Sequence, residues 1–210
     1  MVKVKVCGIT NREDALAAVE AGADALGFNF YARSPRCIAP AEARMIISEL
    51  PQTMLCVGVF VNEDSAATVA RKALEAGVSA VQLHGEESPE YCGALGGREV
   101  IKALRVGKDF APEEAARYPA GSILLDAYNA HAHGGTGETF DWTVARRTRE
   151  LVAQLYLAGG LTPENVAGAI AAVLPYAVDV CSGVEHAPGR KDAARVRAFI
   201  AAVRACEKKP

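Results

Sequence analysis

The 210 residues carry a formal net charge of −2, with 50% hydrophobic and 23% charged side chains, the balance of a globular chain long enough for one large domain or two small ones. Acids and bases are interspersed, which excludes the basic stripe that nucleic-acid binding requires, and no apolar run approaches the ~18 residues of a membrane span. No signal-peptide pattern is present, and Cys7, Cys37, Cys56, Cys92, Cys181 and Cys206 show neither CxxC nor metal-finger spacing, so reduced thiols in the cytoplasm are expected.

Along the chain, short β-branched runs alternate with alanine-rich segments. Strands are predicted at 2–7, 25–30, 54–60, 80–84, 99–104, 122–127, 154–158 and 177–180. Helices are predicted between and after them, at 11–22, 40–50, 63–76, 88–95, 112–117, 140–152, 163–173 and 191–206. The first strand, VKVKVC, stops in Cys7-Gly8; such a cysteine is either a small core residue or a thiol at the mouth of a barrel. VEAGADALGF and LEAGVSAVQL repeat one pattern of helix, glycine and strand, with the glycine expected to end the helix. Ser88-Pro89 and Thr162-Pro163 each place a capping hydroxyl before a proline at the first helical position. Strands alternating with helices imply a parallel sheet. Eight such units without a linker or low-complexity break predict a single-domain α/β protein, a (β/α)8 barrel of the TIM type over residues 1–210. An open doubly wound sheet is the alternative, although no GxGxxG follows the first strand.

Strand neighbours point to opposite faces. Val2, Val4 and Val6 share one face of the first strand, and Lys3, Lys5 and Cys7 the other. Val81 and Leu83 oppose Gln82 and His84; Ile123 and Leu125 oppose Leu124 and Asp126; Val178 and Val180 oppose Asp179. The apolar face must meet the helices and the mixed face must line the barrel. Cys7, His84, Asp126 and Asp179 then converge at the carboxyl ends of the strands, where barrel active sites are built. Singly, each has a structural reading, as a core residue, a helix cap or a turn former; together they indicate a site. Lys5 and Lys102 are read as inward and deeper, each paired with a carboxylate because an unpaired buried charge is costly. A cation beneath Cys7 would favour its thiolate; the alternative is that Lys5 only fills a polar barrel layer.

LAGGLTPENV and VDVCSGVE follow the last two strands and bring Gly159, Gly160, Ser182 and Gly183 to the loops where barrels commonly hold phosphate. Gly159 could instead serve only a tight turn. HAHGGTGETFDW follows the sixth strand and reads as a glycine-rich lid over the site. Its His131 and His133 lack a third ligand, and no metal site is predicted. In YARSPRCIAP, Ser34-Pro35 forces a turn and sets Arg36 to reach over the rim, either toward a substrate carboxylate or into a surface salt bridge.

KVCGIT (5–10), GFNFYARSPR (27–36), VGVFVN (57–62), QLHGEE (82–87), LLDA (124–127), GGTGETFDW (134–142), LAGGLTPENV (157–166) and DVCSGVE (179–185) together resemble the phosphoribosylanthranilate isomerases over essentially the whole chain. The resemblance implies an Amadori rearrangement of a small phosphosugar substrate in tryptophan biosynthesis, in a monomer or homodimer, without cofactor, metal, nucleic acid or membrane. It implies that Cys7 is the general base at C2′ and that Asp126 is the general acid at the furanose ring oxygen. Arg36 is expected to hold the anthranilate carboxylate, His84 and Asp179 to line the site, and Gly159, Gly160, Ser182 and Gly183 to hold the phosphate. These roles require the Cys7 thiol to be pushed down and the Asp126 carboxyl up. Cys181 stands where that family often has serine. Other phosphosugar barrel enzymes and a non-catalytic phosphate-binding barrel are the rival readings. A synthase of this group needs a lysine acid that has no obvious rim position here, and a non-catalytic barrel would have lost the acid or the base.

Overall fold

Lys3–Cys7 (β1) pairs in parallel with Ala25–Asn29 (β2) on one side and with Ala177–Val180 (β8) on the other. The remaining strands, Leu55–Phe60 (β3), Ala80–Leu83 (β4), Glu99–Arg105 (β5), Ser122–Asp126 (β6) and Leu155–Ala158 (β7), complete a closed barrel in chain order. This computed structural model describes residues 1–126 and 142–206. The predicted strands are all present, with ends that differ by one residue or none.

Helices cover the barrel: Arg12–Glu20 (α1), Pro40–Ile47 (α2), Ala66–Ala76 (α3), Pro89–Gly93 (α4), Trp142–Leu151 (α5), Val166–Val173 (α6) and Ala193–Cys206 (α7). Gly77 ends α3 in the left-handed region (φ 75°), and Gly22 does the same just after α1 (φ 93°), which explains the repeated glycine before a strand. Ser88 caps α4 by accepting from the Tyr91 N–H, and Pro89 opens it. Among the described residues no helix is long and apolar enough to cross a membrane.

The predicted division of faces holds. Val4, Val6, Val81, Leu83, Ile123, Leu125, Val178 and Val180 are buried in the layer between strands and helices. Inside the barrel, Leu124 and Tyr156 fill space between small residues such as Ala25, Ala80 and Ala177.

Four expectations need correction. Lys102 does not face inward: it alternates with Ile101 and Ala103, which do, and its ammonium lies in the helix layer 2.8 Å from Glu87. The segment 112–117 is a 3-10 turn rather than an α-helix. Thr162-Pro163 does not start a helix; α6 begins at Val166. There the Asn165 side chain accepts from the Thr162 N–H (2.8 Å) and donates to the Gly160 carbonyl (2.9 Å), a local alternative that competes with helical bonds. Finally, Glu185–Ala187 (β9) and Arg190–Lys191 (β10) form an antiparallel ribbon ahead of α7, so Lys191, expected to open the last helix, ends a strand instead.

Candidate active site

At the carboxyl end of the barrel lies a cavity of about 420 Å³, within the usual range for small-molecule sites. Its walls include every described residue singled out for a site role: Cys7, Arg36, His84, Asp126, Asp179, Gly159, Gly160, Ser182 and Gly183. The anticipated lid (His131, His133, Gly134, Gly135, Gly137) lies outside the described residues.

Cys7 ends β1 at 8% exposure. Beneath it Lys5, fully buried, is 2.9 Å from Asp179 on the neighbouring strand. Burial works against the Lys5 charge, but Asp179 and Cys7 more than offset it and hold the ammonium above its ordinary range. Burial pushes Asp179 up to about 7 against the pull of Lys5. The Cys7 thiol is held well below the ordinary thiol range, first by interaction with Cys181 and then, against burial, by the ammonium groups of Lys5 and Lys191. Cys56 and Cys92, by contrast, are pushed up to about 11 by burial. The Lys5 pairing anticipated from alternation is therefore present, and Cys7 is the thiol held toward its thiolate.

Across the cavity Asp126 ends β6. Its Oδ2 lies 3.2 Å from His84 Nε2, and His84 Nδ1 lies 2.8 Å from the Gln82 amide nitrogen. An amide nitrogen only donates. With the amide in this orientation His84 accepts at Nδ1 and presents an N–H at Nε2 to Asp126 Oδ2.

The loops after β7 and β8 meet backbone to backbone. Gly159 and Gly160 adopt φ of 89° and 65°, conformations that side chains rarely tolerate. A methyl on Gly183 would overlap the Leu161 carbonyl oxygen and lie 3.3 Å from Thr162 Cα. Closely apposed glycine backbones are suited to an anion.

The comparison with known proteins agrees with this geometry. The family model for N-(5′-phosphoribosyl)anthranilate (PRA) isomerase matches residues 4–202. The chain belongs to the N-(5′-phosphoribosyl)anthranilate isomerase family. An N-(5′-phosphoribosyl)anthranilate isomerase from Citrifermentans bemidjiense is 55% identical over 201 residues, covering 96% of each chain. The crystal structure of phosphoribosyl anthranilate isomerase from Thermotoga maritima is 47% identical with a TM-score of 0.88, covering 98% of this chain and 100% of that one. A second isomerase structure, in complex with reduced 1-(o-carboxyphenylamino)-1-deoxyribulose 5-phosphate, is 45% identical with a TM-score of 0.86 and the same coverage.

Two side chains of this isomerase site were not assigned from the sequence. Arg36 does reach the cavity, but its guanidinium is already bidentate to Glu185, with Nε 2.9 Å from Oε1 and Nη2 2.6 Å from Oε2. Glu185 is also 2.9 Å from the buried Lys191 ammonium, so the carboxylate is shared between two cations. Among the described residues Arg36 Nη1 makes no hydrogen bond. Arg36 is thus held rigidly, by more than the surface salt bridge that was its structural reading. Glu185 stood in a quoted motif without a role. Lys191 was missed because it was read as the first residue of the last helix, whereas it ends the β9–β10 ribbon that turns at Pro188-Gly189.

The state of Cys7 can be read directly. At neutral pH iodoacetamide is expected to alkylate Cys7 ahead of exposed Cys37, because the thiolate is the reacting form; peptide mapping by mass spectrometry checks it. Lys5→Met removes a cation that favours the thiolate, so the alkylation rate should inflect at higher pH and fall at fixed neutral pH. An unchanged inflection in a folded Lys5→Met protein would leave Lys5 as barrel filling only.

Proposed function

We propose that the chain converts N-(5′-phosphoribosyl)anthranilate to 1-(2-carboxyphenylamino)-1-deoxyribulose 5-phosphate with Cys7 as base and Asp126 as acid. That it is an isomerase of this family, an enzyme of tryptophan biosynthesis, follows from the match over 4–202 and from relatives above 50% identity. The roles rest on one observation above the rest: a thiol held toward thiolate and a carboxyl group oriented by histidine line the same cavity from β1 and β6.

In this reading Asp126 protonates the furanose ring oxygen, the C1′–O bond breaks, and the nitrogen lone pair forms a Schiff base. Cys7 then removes the C2′ proton, giving an enolamine that tautomerises to the aminoketose. Base and acid are needed at different atoms, and opposite walls of one cavity meet that need. Asp179 neutralises Lys5 and so limits how far the thiol is pushed down. His84 orients Asp126. Arg36, held by Glu185, offers its remaining N–H groups to the anthranilate carboxylate. Gly159, Gly160, Ser182 and Gly183 hold the phosphate, fixing the sugar so that C2′ stays beside the thiol. The proposed chemistry is proton transfer alone and calls on no cofactor or metal. All these residues come from one barrel, so the set is complete in a monomer or a homodimer, and a cytoplasmic setting keeps Cys7 reduced.

The test is a steady-state assay with freshly generated N-(5′-phosphoribosyl)anthranilate, following loss of its fluorescence. Gly183→Ala forces the β7 and β8 loops apart at a backbone contact, so kcat/KM should fall by about 10²-fold. Inhibition by inorganic phosphate should weaken in parallel. A variant with wild-type phosphate inhibition would remove these loops from the anion site.

A further inference from the structure

We propose that Cys7 and Cys181 form a reversible intramolecular disulfide, an oxidation site built into the rim of the cavity. β1 and β8 pair through Val4↔Val178, Lys5↔Asp179 and Val6↔Val180. One residue further along both segments stand Cys7 and Cys181, and both line the same cavity. Neighbouring strands lie about 4.8 Å apart, inside the roughly 4.4–6.8 Å separation of Cα atoms that a disulfide spans. Glycines give the two sulfurs their room: a methyl on Gly8 would lie 2.9 Å from Cys181 Sγ, and one on Gly27 would lie 2.6 Å from Cys7 Sγ. Both cysteines are free. Cys181 has already left the β-conformation, with φ −130° and ψ −87°, so its side chain is not tied to the strand ladder.

The two thiols are unlike, as an attacking and a resolving cysteine must be. Cys7 stands over the Lys5 ammonium. Cys181 Sγ lies 3.7 Å from Lys191 Nζ and 3.9 Å from Glu185 Oε1; the carboxylate keeps its proton in place at rest, and the ammonium receives the negative charge when that proton leaves. The oxidant is a hydroperoxide, small enough to enter a cavity of about 420 Å³. With hydrogen peroxide, the Cys7 thiolate attacks one oxygen, the O–O bond breaks, and a sulfenic acid forms as hydroxide leaves and is protonated to water. Cys181 then gives up its proton, and its sulfur displaces the sulfenic hydroxyl as a second water. Two sulfurs lose two electrons, and the O–O bond takes them up. A dithiol reverses the bridge by thiol–disulfide exchange. Loss of activity on bridging rests on Cys7 being the base; formation of the bridge does not.

The full chain, reduced and then treated with hydrogen peroxide, is expected to lose about 2 Da for the two hydrogens removed, and to yield a peptide joining Cys7 to Cys181. Turnover should fall at least ~10-fold and return with dithiothreitol. Cys181→Ser, compared with its own reduced activity, should instead gain about 16 or 32 Da at Cys7 and progress to a form that dithiothreitol does not rescue. Oxidised wild-type protein without the Cys7–Cys181 peptide, whether Cys7 is sulfinic or joined to Cys37, would overturn the proposal. A bridged protein that still turns over would confirm the oxidation site and overturn the assignment of Cys7 as base.

Discussion

Cys7→Ala and Asp126→Asn are each expected to lower kcat by about 10²–10⁴-fold, the usual contribution of a positioned acid or base, with KM changed far less. Neither substitution disturbs packing much. Cys7 borders the cavity rather than the helix layer, and an asparagine carbonyl at 126 can still accept from His84 Nε2, now 3.2 Å from the carboxylate oxygen. What Asp126→Asn loses is the proton. The two losses should fall on different limbs of the pH profile. Because the Cys7 thiol is held low, its protonation limits kcat/KM only on the acidic side, and activity rises with pH through that value. Asp126→Asn should abolish the alkaline limb set by loss of the acid proton. Steady-state kinetics with circular dichroism to confirm folding checks both. A folded variant that keeps more than about a tenth of wild-type kcat has lost no acid or base.

The largest expected effect on stability lies away from the cavity. Lys102→Met should cost roughly 3–5 kcal/mol, the usual penalty for leaving a buried charge without its partner. Lys102 Nζ donates to Glu87 (2.8 Å) and to the Gly85 carbonyl (2.6 Å), and both charged side chains are almost fully buried. Glu87 accepts in addition from the Asn62 and Gly85 N–H groups at 2.8 and 2.9 Å, so this pair joins the loops after β3 and β4. Burial works against the Glu87 charge, but Lys102 and these N–H groups outweigh it and hold the carboxyl below its ordinary range. A depressed carboxylate contributes stability above its unfolded value, about 4.3, and that contribution is lost as pH falls through the folded value. In Lys102→Met, Glu87 no longer has that support and can protonate. The penalty measured by urea unfolding should therefore be largest near pH 7 and shrink toward pH 4. A penalty that does not change with pH would mean that packing of the lysine stem, not its charge, stabilises these loops.

The strands and their faces were legible because alternation is a local property. Val4, Val6, Val178 and Val180 lie on one face whatever surrounds them, and closing eight such strands brings Cys7, His84, Asp126 and Asp179 to one rim. Lys102 misled because a charged residue on a strand was assumed to need the polar interior. Its partner instead comes from the loop Gly85–Glu87, and loop conformation depends on side-chain to backbone bonds that periodicity does not record. The start of α6 was misplaced for the same reason, since Asn165 captures Thr162 and Gly160 before the helix can extend to them. The clamp of Glu185 on Arg36 spans 149 positions of sequence, and only the folded barrel brings those residues together. The resemblance to the isomerases supplied the roles of Cys7 and Asp126; the residues alone gave their convergence.

The pairing of β1 with β8 has a consequence for how the chain acquires activity. Lys5 and Asp179 are separated by 174 positions, and this seam is where the first strand meets the last. Contacts this distant in sequence carry a high loop-closure cost and tend to form late in folding. Until the seam closes, Lys5 has no Asp179, Cys7 has no Cys181, and the thiol reacts as it would in an unstructured peptide. Joining of the two ends of the ring and the change in reactivity of the Cys7 thiol are therefore one event. Thiol reactivity followed during refolding would act as a clock for barrel closure, and a nascent chain not yet extended past Asp179 has no catalytic activity to lose.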